Sequence, residues 1–418
     1  MSIKYRLTIM SFLQFFVWGA WLITIGNYWF GTKGWSGLEF GAIFSTLGLS
    51  SILMPAVTGI LADKYINAEK LYGVLHIMGG IALLFLPAVD NPTTFYFVIF
   101  GAMLCYMPTI SLSNSVAYNI LKNNSFDVIK VFPPIRVWGT IGFIAAMWIT
   151  NLTGNKASGN MFIIAAITAI FLGIYSFTLP KCPPQKLISE KATLTQKLGL
   201  DAFKLFLDYK MALFFIFSMF LGAALQLTNM YGDVFLSEFG KNPAYADSFV
   251  VTKSTLIMSI SQFSETAFIL AIPFFLKRFG IKQVMLISML AWVLRFGLFA
   301  FSDPSVPGTI MIILSCIVYG MAFDFFNISG SLFIETTTDS KIRSSAQGLF
   351  MMMSNGFGAF FGGLISGKII DAYFTKNNVR DWHNIWLTFA VYALVIAIAF
   401  ALLFKHKHNP EELQKISH

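Results

Sequence analysis

Four ionisable residues stand inside long apolar runs of this chain: Arg136, Glu265, Arg295 and Asp324. A charge surrounded by hydrocarbon is costly and is kept only where it pairs or lines water. Helical residues rise 1.5 Å each, so Glu265 lies roughly 16 Å from the end of its run at Leu276 and Asp324 roughly 15 Å from Ile334. Arg295 lies roughly 21 Å from Ile281 by the same arithmetic. All three fall near the middle of a layer about 30 Å thick. Arg136 reaches a similar depth if its helix starts at Ser125 and Asp127, a cap with an acidic first turn, and runs on through Pro133 and Pro134 with a kink. A start at the double proline would leave it near the surface; the cap chemistry favours the deeper placement. A carboxylate at such depth can exchange a proton as its surroundings change between dry and paired. Asp324 and Glu265 are therefore candidates for proton coupling, with Arg136 as a mobile partner. Arg295 reads as structural, and Asp324 on the next run is one partner available to it.

The same runs carry polar and aromatic groups at helical spacing. Arg136, Thr140 and Phe143 are spaced i, i+4, i+7 and share a face. Gln226 and Asn229 are spaced i, i+3, as are Gln262 and Glu265. Tyr319 and Phe323 are spaced i, i+4, with Asp324 beside them. Rings sandwich a flat heterocycle, amides read its donors and acceptors, and a carboxylate accepts from adjacent hydroxyls. A solute that is part planar base and part polyol fits this set. Each member alone is bland: with 45 phenylalanines, aromatic pairs arise by chance, and amides serve as glue between helices. The weight comes from four runs supplying compatible groups. Gln14, Asn327, Asn355 and the Ser111–Ser115 stretch read as packing polar groups. Gly356, Gly358, Gly362, Gly363 and Gly367 suit close helix approach.

The elements that position these residues must cross a membrane. Of 418 residues, 56% are apolar and 12% charged, against about 25% charged in a soluble domain. Mean hydropathy is +0.70. Water is not the solvent for most of this surface, which excludes a soluble enzyme, a nucleic-acid binder and a disordered chain. Twelve runs are long enough to span: Leu7–Phe30, Phe40–Ala62, Leu71–Ala88, Phe95–Leu121, Val131–Leu152, Met161–Leu179, Met211–Leu236, Phe249–Leu276, Ile281–Phe301, Thr309–Ile334, Ser344–Ile370 and Ile385–Phe404. The first is too long for a signal-peptide core and no small-residue cleavage site follows it. With the N-terminus inside, twenty of the 29 basic residues fall in cytoplasmic segments and five in outer ones. That split predicts both termini in the cytoplasm. It also assigns the net charge of +9 to anionic inner-leaflet lipid rather than to nucleic acid. Cys105, Cys182 and Cys316 and the five histidines show no metal-ligand spacing. The polar stretch 181–210 divides the chain into an N-terminal six-helix bundle, 1–180, and a C-terminal one, 211–418.

Two six-helix halves joined by a cytoplasmic loop are the layout of the major facilitator transporters. Gly59-Ile-Leu-Ala-Asp63-Lys64 resembles that superfamily's loop signature, so Asp63 and Lys64 are candidates for a conformational latch at a helix end. Longer strings resemble the bacterial nucleoside:proton symporter family within it. They are Ser11-Phe-Leu-Gln-Phe with Trp18-Gly19, Phe132-Pro-Pro-Ile-Arg136-Val-Trp-Gly-Thr140-Ile-Gly-Phe143 and Leu225-Gln226-Leu-Thr-Asn229-Met. Ser259-Ile-Ser-Gln262-Phe-Ser-Glu265-Thr and Tyr319-Gly-Met-Ala-Phe323-Asp324-Phe-Phe-Asn327-Ile-Ser-Gly complete them. The resemblance covers nearly the whole chain. It implies an all-α, multi-pass inner-membrane permease, not an enzyme, that takes up purine and pyrimidine nucleosides with protons and needs no cofactor. It implies a solute site of Arg136, Thr140, Phe143, Gln226, Asn229, Gln262, Glu265, Tyr319 and Phe323. A monomer is expected, with nucleosides and the lipid bilayer as its partners. The alternative is a proton-coupled sugar or glycoside symporter of the same fold, since ribose and sugar sites share carboxylates and amides.

Overall fold

The computed structural model describes residues 2–184, 200–339, 342–377 and 379–406. The chain forms two compact units, Met1–Leu198 and Gly199–His418. In the first, α1 (Ile3–Gly19) leads through a turn to a π-helical stretch, Asn27–Thr32, followed by α2 (Gly37–Lys64) and α3 (Ala68–Phe85). Then come α4 (Pro92–Asn123), α5 (Val128–Leu152) and α6 (Asn160–Ser176). The helices start where short polar side chains can cap them. Ser36 and Glu39 form a reciprocal capping box on α2, and Asn91 accepts from Thr93 and Thr94 at the start of α4.

Two features differ from the sequence expectation. The run Leu7–Phe30 is not one helix: α1 stops at Gly19, whose Cα packs on the Phe143 backbone, and the chain turns before the π-helical stretch. The cap of α5 is Asp127, which accepts from the Lys130 amide, while Ser125 sits in the left-handed region at φ 58°. Helix α5 still runs through Pro133 and Pro134, so Arg136 stands roughly 12 Å along it.

The second unit holds α7 (Tyr209–Glu238), the one-turn α8 (Phe249–Thr252), α9 (Ser254–Ala300) and α10 (Val306–Thr337). It continues with α11 (Arg343–Met351), a π-helical stretch Met352–Gly358, α12 (Ala359–Phe374), a two-stranded hairpin and α13 (Trp382–Leu403). Helix α9 has 47 residues but breaks at Gly280, where φ is 77°, so two of the sequence runs share one element. Among the described residues nine helices are long and apolar enough to cross a membrane; α6, with 17 residues, is a shorter apolar one. Their outer faces are apolar: Leu270, in the middle of α9, is 80% exposed, a surface that suits lipid and not water.

Candidate solute-binding site

In the first unit, α5 presents the expected face. The Arg136 guanidinium lies 4.0 Å from the centre of the Phe15 ring, a cation–π contact with α1. Thr140 is half-buried one turn on, and Phe143 is buried, edge-on to Trp18 at 6.4 Å. Gly142 brings the two helices together, since a Cβ there would overlap the Phe12 carbonyl. Gln14, expected to be a packing group, is a hub. It donates to Thr109 at 2.9 Å and accepts from Tyr72 at 2.6 Å and from His76 at 2.9 Å. Its carbonyl accepts from the Tyr106 hydroxyl at 2.8 Å. No spacing rule in the sequence reveals such a cluster, because its members come from three helices.

In the second unit, the Tyr319 and Phe323 rings of α10 lie nearly parallel, with centres 5.9 Å apart and 13° between their planes. Trp292 meets Tyr319 edge-on, and the Arg295 guanidinium stands 4.7 Å from the Tyr319 ring centre. Glu265, Arg295 and Asp324 all lie within electrostatic range of Tyr319. Helices α9 and α10 touch backbone to backbone here: Gly320 faces Ser264 and Glu265, and the Ser264 hydroxyl donates to the Ile317 carbonyl. Three buried acceptors, Gln226 Oε1, Gln262 Oε1 and Asp324 Oδ2, have no hydrogen-bond partner. Asp324 is only 5% exposed, so leaving that oxygen unpaired is costly unless something else binds it. Asn229 is half-buried a turn beyond Gln226. Behind Phe323 is a cavity of about 20 Å³, room for a single water, lined in part by Asn327, Ser354 and Asn355. Both amides read in the sequence as packing groups, and a cavity with room for one water is compatible with that role.

Arg295 is fully buried and makes no ion pair with Asp324. It donates to Thr228 at 3.3 Å and to the Ser315 carbonyl at 2.6 Å, tying α9 to α7 and α10. The structural reading of this residue fits, with different partners. Lys64 ends α2, while the Asp63 side chain lies outside the described residues. Among the described residues no group of three or more His, Cys, Asp or Glu could hold a metal ion.

A sequence model of the family described as nucleoside H+ symporter matches residues 1–409. The chain is 50% identical over 420 residues to nucleoside permease NupG of Escherichia coli (strain K12), covering 100% of both. It is also 50% identical over 416 residues to xanthosine permease of the same organism, covering 99% of each. The crystal structure of nucleoside transporter NupG superposes with a TM-score of 0.91 at 50% identity, over 97% of this chain and 100% of that one. The relatives are permeases, and nine described helices of this chain are long and apolar enough to cross a membrane, so this protein is a multi-pass inner-membrane transporter and not an enzyme. The chain belongs to the nucleoside H+ symporter family.

Proposed function

We propose that this transporter takes up purine and pyrimidine nucleosides together with protons across the bacterial inner membrane by alternating access. The residues that read the solute are Arg136, Thr140 and Phe143 in one unit and Gln226, Asn229, Gln262, Glu265, Tyr319 and Phe323 in the other. Asp324 and Glu265 carry the proton, and Asp63 with Lys64 forms a latch. The chain works as a monomer with twelve spans in two six-helix bundles, as in the major facilitator transporters, and with both termini in the cytoplasm.

The observation that carries the reading is the Tyr319–Phe323 platform in the same unit as three buried oxygens without partners. A flat base covers paired rings, and ribose hydroxyls are donors for stranded acceptors. Radiolabelled uridine uptake with and without a proton uncoupler tests it. Uptake by the wild type should collapse with the uncoupler, and Glu265→Gln should lose accumulation against a gradient. Uptake insensitive to the uncoupler would remove the symport assignment. Competition separates the sugar reading, which expects free ribose to compete as well as uridine does.

A further inference from the structure

The indole Nε1 of Trp18 is buried and has no hydrogen-bond partner. Buried N–H groups without partners are rare, because each forfeits its bond to water. Other indoles here are satisfied: Trp29 donates to the Ser36 carbonyl and Trp382 to Glu238, both at 2.8 Å. Trp386 also lacks a partner, but it is sealed among Phe235, Phe296, Phe299 and Trp382. Trp18 differs in place, because part of its ring remains exposed and it stands edge-on to Phe143.

Its position is fixed from behind. The Tyr106 ring packs on it at 5.8 Å, and the Tyr106 hydroxyl is anchored on the Gln14 carbonyl. The Gln14 side chain is oriented in turn. The Thr109 hydroxyl donates to the Tyr106 carbonyl at 2.6 Å, so its oxygen accepts from the Gln14 amide nitrogen. The Gln14 oxygen then faces Tyr72 and His76, which both donate to it. Phe15, next along α1, supports the Arg136 guanidinium and lies i, i+3 from Trp18, on the same side of the helix.

We infer that Trp18 is a further solute-contacting, specificity-determining residue, its indole N–H donating to one oxygen of the nucleoside, with Gln14 and Thr109 as positioning residues behind it. The inference rests on the nucleoside reading above. The test uses the full chain in proteoliposomes, with radiolabelled uridine as substrate. As competitors it uses 2′-, 3′- and 5′-deoxyuridine and 2- and 4-thiouridine, each missing or weakening one acceptor. Trp18→Phe keeps a ring and deletes the N–H. It should raise KM about tenfold with Vmax within about twofold, the usual size for one lost hydrogen bond. For one competitor alone the affinity should match between wild type and variant, since that analogue lacks the oxygen concerned. Thr109→Val, which removes one hydroxyl at nearly constant volume, should raise KM about threefold with Vmax kept and spare the same competitor. Thr109→Ser should restore it. An unchanged KM in Trp18→Phe, or an equal loss across all competitors, overturns the inference. If Trp18→Phe does not insert, an unchanged KM in Thr109→Val does so. A wild type that takes up no uridine instead removes the nucleoside reading itself.

Discussion

The guanidinium of Arg295 is fully buried, yet its bonds run to the Thr228 hydroxyl and the Ser315 carbonyl, and its faces to the Phe299 and Tyr319 rings. Ser315 returns a bond to the Arg295 carbonyl at 3.0 Å. One side chain thus joins three helices and backs the platform ring. Arg295→Ala removes that packing, two hydrogen bonds and the cation–π contacts together. It should cost about 2–4 kcal/mol, seen as a lower thermal midpoint in detergent. An unchanged midpoint would show that the arginine is held by its surroundings without stabilising them. The depth of Arg295 was legible in the sequence, because depth follows from position in an apolar run. Its partners were not, because they depend on the angle around the helix axis and on which neighbours face it. Gln14 is the packing group it reads as in the sequence, but its partners Tyr72, His76, Tyr106 and Thr109 are between 58 and 95 residues away and could not be named for the same reason.

Helices α9 and α10 meet through glycine. An ideal Cβ on Gly320 would stand 2.5 Å from the Ser264 carbonyl carbon and 2.6 Å from the Glu265 nitrogen. Both are backbone atoms and cannot rotate away, so the helices must part. Gly320→Ala should therefore lower uridine uptake at least about tenfold, by shifting Glu265 against Tyr319, since misplacement by about 1 Å can cost far more than that. Gly297, in the segment of α9 beyond the Gly280 break, is the control: nothing lies within 4 Å of its Cβ position. Gly297→Ala should leave uptake unchanged and stabilise by up to about 1 kcal/mol through helix propensity. Equal uptake in the two variants would show that the contact is not needed. Sequence marked another part of this pattern. It pointed to the cluster from Gly356 to Gly367, of which Gly358 and Gly362 do lie against Gly222 and Ala223 of α7. Isolated glycines such as Gly142 and Gly320 carry no local signal; only the facing backbone reveals why no larger residue fits. Element existence was easier, because apolar run length alone sets it, while the stop of α1 at Gly19 and the break at Gly280 are set by packing and by one left-handed residue.

For the whole molecule the basic residues predict the orientation. Twenty lie in segments assigned to the cytoplasm and five in segments assigned outside. Three of those five stand in ion pairs with two carboxylates. Lys33 pairs with Asp90 at 2.5 Å, and Glu238 holds both Lys241 at 2.9 Å and Arg380 at 2.6 Å. Insertion counts lysine and arginine in short loops and takes little account of acidic neighbours, so these pairs tie outer segments together while the split of twenty to five itself sets the expected topology. A fluorescent protein fused after His418 should therefore be bright in cells and alkaline phosphatase fused there inactive, because the phosphatase works only outside the cytoplasm. Phosphatase fused after Asn155, in the turn between α5 and α6, should be active. Adding four lysines to that turn should lower the phosphatase activity there, because each positive charge opposes translocation. An active phosphatase at the C-terminus would invert the assignment and with it the side from which the solute is taken up.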